Sequence, residues 1–149
     1  MRQFAFIVSF LLLTGCGFHL VNSKQYTINL SSITPKFERQ QYEILASSEG
    51  FKSSLQSHNV VNDLKYHVEY LADKNTGNIW RQYEITAEWS LTTKTKSQMV
   101  IAKEIVNLSS NQSPNERTFS EFYVPIRKKL LFNTYAVIRR GEMSLQLHN

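Results

Sequence analysis

The four residues Leu13-Thr14-Gly15-Cys16 hold the clearest chemistry in this chain. They close an apolar run from Phe4 to Leu13 that follows one positive charge at Arg2. That order is a secretory signal ending in a lipoprotein cleavage box. A lipoprotein signal peptidase needs small side chains before the cut, and Thr14 and Gly15 supply them. The residue after the cut must be cysteine, because its sulfur takes up a diacylglycerol group. Chemistry at Cys16 is therefore done to the protein, not by it. The apolar run, about ten residues, falls short of the roughly 20 that span a bilayer. Cys16 is also the sole cysteine, with no intramolecular disulfide partner.

Elsewhere the residue types that catalyse or bind metal do not converge. His19, His58, His67 and His148 show no His-x-x-x-His or comparable ligand spacing. Asp63 and Asp73 stand in expected turns, where capping is the usual role. No nucleophile elbow and no glycine-rich phosphate loop occurs. Glu69, Glu84 and Glu88 fall on the wet faces of expected strands. The reading is a protein that is not an enzyme, with no cofactor beyond the covalent lipid on Cys16 and no metal site. The formal charge is +5, which on an exported chain points to anionic envelope partners and not to nucleic acid. Basic residues gather in three places. Lys74 and Arg81 flank one expected hairpin turn, Lys94 and Lys96 lie in the next connection, and Arg127, Lys128 and Lys129 form a run. Such groups make charge-assisted contacts with phosphate or with an anionic protein wall.

The elements that must position these groups follow from hydrophobic period. Residues 26–30 alternate apolar and polar, as a half-buried strand does. Residues 37–57 lack alternation; Ile44, Phe51 and Leu55 share one helical face, with Gly50 as a weak point. Residues 64–71 alternate again. After a turn over 73–78 comes the cleanest strand, with Tyr83, Ile85, Ala87, Trp89 and Leu91 on one side. Residues 99–108 form a third hairpin partner, expected to be buried more evenly. The last helix is expected over about 120–140, with Phe122, Ile126, Leu130, Asn133 and Val137 as its stripe and Gly141 as its cap. The order β-α-β-β-β-α predicts an α+β two-layer sandwich: a four-stranded, mainly antiparallel sheet covered by two helices. Residues 1–15 read as the lipoprotein signal peptide and 16–149 as one domain, with 142–149 a loose tail.

The junction Cys16-Gly17-Phe18-His19-Leu20, ahead of that element order, resembles the LPS-assembly lipoprotein family, LptE. The resemblance spans the mature domain as architecture, while its specific letters are those of the junction. Where the family has an arginine-containing stretch after Leu20, this chain has Val21-Asn22-Ser23-Lys24. Membership would imply an outer-membrane lipoprotein with a periplasm-facing lipid anchor. It would sit as a plug inside the LptD-type β-barrel, help that barrel assemble, and support lipopolysaccharide insertion into the outer leaflet. By position, Lys74 matches the family's basic residue in the first hairpin loop, with Arg81 as a nearby substitute. Arg127 and Lys128 on the last helix are further lipopolysaccharide-binding candidates. A different class shares the lipobox, the size and the absent active site: a pilotin or assembly chaperone for another outer-membrane channel.

Overall fold

A computed structural model describes residues 24–75 and 79–146. Cys16 and the signal segment lie outside the described residues. In chain order the elements are β1 (Tyr26–Ile28), α1 (Lys36–Ala46), β2 (Phe51–Ser53), β3 (Val60–Asn75), β4 (Ile79–Thr92), β5 (Ser97–Ser109), α2 (Glu116–Ser120) and α3 (Tyr123–Gln146). The class is α+β, as the periodicity predicts. Three long strands form an antiparallel meander in the order β3-β4-β5, and β1 and β2 form a short parallel pair. A single parallel bridge between Asn29 and Val60 links the two sheets.

Strand β4 is the spine. Its alternation is realised in full: Tyr83, Ile85, Ala87, Trp89 and Leu91 are buried, and the residues between them remain half-exposed. Helix α3 lies across this buried face, with Ile126, Leu130, Leu131, Thr134 and Ile138 inward. The Trp89 indole N–H donates to the Thr134 hydroxyl at 3.0 Å, and that hydroxyl donates to the Leu130 carbonyl at 2.8 Å. The Tyr42 ring of α1 meets Trp89 at 5.0 Å between centroids. Helix α1 thus completes the same layer.

Several elements differ from expectation, each for a local reason. The helix expected over 37–57 stops at Ala46. Gly50 takes a left-handed φ of +84°, and its backbone approaches the Tyr135 ring so closely that a Cβ would lie 2.8 Å away. The chain then becomes β2, which places Phe51 in the core beside β1. Of the supposed stripe only Phe51 is buried; Ile44 and Leu55 face solvent. Strand β5 is not evenly buried. It alternates, with Val100, Ala102, Val106 and Leu108 inward and Met99, Ile101 and Ile105 exposed. A short helix, α2, precedes the last one, capped by Asn115, whose side chain accepts from the Thr118 N–H at 3.0 Å. Pro125 falls in the first turn of α3, where its missing N–H has no intrahelical acceptor to lose. Gly141 does not cap; the helix continues to Gln146, into the stretch expected as a tail. Glu142 there accepts from Lys24 Nζ at 2.6 Å and from the Tyr26 hydroxyl at 3.2 Å.

Candidate functional site

The β3–β4 hairpin brings two of the expected cations to one tip. Asp73 pairs with Arg81 and Lys74 with Trp80 in the ladder, so Lys74 and Arg81 are one register step apart. Arg81 is partly committed. One guanidinium nitrogen donates to the carbonyls of Ser110 at 2.9 Å and Gln112 at 3.2 Å, tying the loop after β5 to the hairpin. Lys128 is exposed on α3 and forms no ion pair among the described residues.

Arg127 is placed otherwise. Its side chain is only 7% exposed, and it pairs with Glu38 of α1 through Nε to Oε1 at 2.8 Å and Nη2 to Oε2 at 2.6 Å. A cation buried and paired in this way is committed to Glu38 and presents little of itself to a lipid phosphate. The same carboxylate accepts from the Tyr66 hydroxyl at 2.5 Å, and Tyr66 and Tyr42 share a hydrogen bond at 2.9 Å. Tyr66 stacks on Tyr123 at 4.7 Å, and the guanidinium sits 5.5 Å from the Tyr123 centroid. Burial pushes the Arg127 pKa down, but the Glu38 hydrogen bonds together with the electrostatic pull of Tyr66 and Glu38 outweigh it, and the net shift is upward. Burial, first of all, pushes both Tyr42 and Tyr66 above the ordinary phenol value. Glu38 accepts three hydrogen bonds in this cluster, two from Arg127 and one from Tyr66. The cluster joins α1, β3 and α3. Nothing in the local sequence announces it, because Glu38 and Arg127 are 89 positions apart.

At the far end of the sheet, the β4–β5 turn carries Lys94 and Lys96 to the rim of a cavity of about 410 Å³, with Tyr26, His58, Val137 and Glu142 also lining it. These lysines and the Lys74–Arg81 tip occupy opposite ends of the meander, as the up-and-down order predicts. No group of three or more histidine, cysteine or acidic residues among the described residues could hold a metal ion. No helix among the described residues is long and apolar enough to cross a membrane.

No protein-family model matches the chain, and no curated protein matches it. Among solved structures it is similar to a minor lipoprotein from Acinetobacter baumannii, known from a crystal structure. That likeness has 15% identity and a TM-score of 0.38, and covers 79% of this chain and 89% of the other. At such a level the likeness carries no argument.

Proposed function

We propose that the protein is an outer-membrane lipoprotein of the LptE kind. It is anchored through lipid on Cys16, occupies the lumen of a large LptD-type β-barrel, and supports lipopolysaccharide delivery to the outer leaflet without catalysing a reaction. The observation that carries this reading is the junction Leu13-Thr14-Gly15-Cys16-Gly17-Phe18-His19-Leu20 standing directly before a small domain. Two features of the domain support it. The outer face of β4 presents Glu84, Thr86, Glu88 and Ser90, a hydrophilic surface suited to the polar interior of a wide barrel. The hairpin tip carries Lys74 and Arg81 beside Trp80, positive groups that can compete for lipid A phosphates. Lys128 is an additional candidate contact, whereas Arg127 is assigned to holding the fold. Several acyl chains on the N-terminus give stable anchoring.

Affinity purification from detergent-solubilised envelopes through a C-terminal tag tests the proposal. A roughly equimolar complex with a very large β-barrel is expected. A secretin in its place would favour a pilotin, and a solitary protein would overturn the barrel assignment.

A further inference from the structure

The two edges of the three-stranded sheet are not alike. On β5 the outward carbonyls of Ile101 and Lys103 accept hydrogen bonds from Asn133 Nδ2 at 2.8 Å and Lys129 Nζ at 2.6 Å, both on α3. On β3 only the first residues are covered: Val61 N–H donates to Asn29 O at 3.0 Å, and Ser32 donates to the Val61 carbonyl. From 64 to 73 the described residues give no backbone hydrogen bond from β3 to anything but β4.

Antiparallel alternation shows which groups are left open. Ile101 and Lys103 face away from β4, so Ala102 bonds to its partner Ala87. Ala87 therefore faces β5, its neighbour Thr86 faces β3, and Thr86 pairs with His67. Lys65, His67 and Glu69 thus bond inward to β4, and Tyr66 and Val68 point their N–H and C=O groups into the open. Register irregularities at Asn62/Lys65 and Tyr70/Ala72 bound one regular stretch, 65–70. Lys65, His67 and Glu69 in that stretch are exposed. Lys65 and Glu69 form no ion pair among the described residues; Glu69 stands opposite Glu84, whose partner Lys103 also attracts Glu69 without contacting it as an ion pair. A cleft of about 640 Å³, lined by Thr34, Phe37, Leu64, Val68 and Phe119 among others, keeps the helix side of this edge open.

We propose that β3 pairs antiparallel with β3 of a second copy of this chain, about a two-fold axis at His67. In that register Lys65 of each copy faces Glu69 of the other, Tyr66 faces Val68, and His67 faces itself. Both charge pairs are opposite in sign, and both open backbone positions find partners. The two meanders become one continuous sheet. Self-complementarity at equal spacing about one residue selects a second copy over an unrelated strand. The inference rests on β3 alone and describes the chain outside a barrel, because a lumen that admits one copy excludes the pair.

The full chain, purified in detergent, is examined by sedimentation and by amide hydrogen exchange over a concentration series. The amides of Tyr66 and Val68 are expected to slow about tenfold or more as concentration rises, while those of Lys65, His67 and Glu69 hold steady. Lys65→Glu or Glu69→Lys alone should weaken association about tenfold, and the two together should restore it. His67→Cys should give a covalent dimer on mild oxidation. A chain that stays monomeric at every concentration, or a double swap no better than either single one, overturns the proposal.

Discussion

Arg127 Nε and Nη2 donate in parallel to the two carboxylate oxygens of Glu38, at 2.8 and 2.6 Å, bridging the start of α1 to the first turns of α3. Both partners are largely withdrawn from water, at 7% and 13% side-chain exposure. Removing one leaves the other charge uncompensated. Arg127→Ala should therefore cost about 3 kcal/mol, near the lower end for a broken buried pair, read as a shift in urea midpoint. Arg127→Lys should recover only part of this, because an ammonium cannot reproduce the fork. A variant as stable as the parent would show that the pair does not hold these helices together.

The tyrosines around that pair make stability depend on alkaline pH. Tyr42 and Tyr66 are raised above their ordinary value of 10.0, chiefly by burial. Their contribution is fully present below pH 10. Above it the unfolded chain loses phenolic protons that the folded chain keeps, so stability falls as pH rises. Chemical denaturation between pH 8 and pH 11 should show a flat region and then a decline. Tyr66→Phe should make that decline shallower; an unchanged slope would remove Tyr66 from the effect.

The Trp89–Thr134 hydrogen bond is enclosed on all sides, with both residues 0% exposed. Thr134→Val keeps the shape and removes the acceptor. The stranded indole N–H should cost about 1–3 kcal/mol, measured by thermal unfolding together with the tryptophan emission maximum. Equal stability would mean that the indole finds another partner.

Gly50 combines a positive φ with close approach to Tyr135. Gly50→Ala should destabilise by about 1–3 kcal/mol, and Tyr135→Ala should relieve the steric part but not the backbone part. The double-mutant cycle separates the two. Full additivity would mean that ring contact plays no role.

The hairpin tip gives the most direct functional test. Lys74→Ala with Arg81→Ala should weaken lipopolysaccharide binding without unfolding the domain, and Lys128→Ala should weaken it less. Arg81→Lys separates charge from the bonds to the 110–112 loop. Raising salt to about 0.5 M should weaken the parent similarly, because exposed charges are screened over a few ångströms there. Binding unchanged by the double substitution at physiological salt would take these residues out of the site.

The meander was legible because each strand carries its own period of two, a local property that burial on β4 reproduces residue by residue. The last helix was legible in a similar way, through the spacing of Ile126 and Leu130, both of which are buried. The helix over 37–57 misled because the spacing of Phe51 to Ile44 and Leu55 fits a helix, whereas the left-handed backbone of Gly50 and its contact with Tyr135 are tertiary facts. Arg127 misled for a related reason. Its run with Lys128 and Lys129 reads as one exposed patch, but helical rotation turns Arg127 inward to Glu38, leaves Lys128 in solvent, and sends Lys129 to the β5 carbonyl of Lys103. Such distinctions depend on a partner far away in the chain.

Lys24 and Tyr26 grip Glu142, so the two ends of the described domain are clasped at one corner. If the preceding segment is a lipid tether, tension on it enters through this corner and loads the last turns of α3 first. The β3–β4 tip, at the other end of the meander, is then mechanically shielded from movements of the anchor.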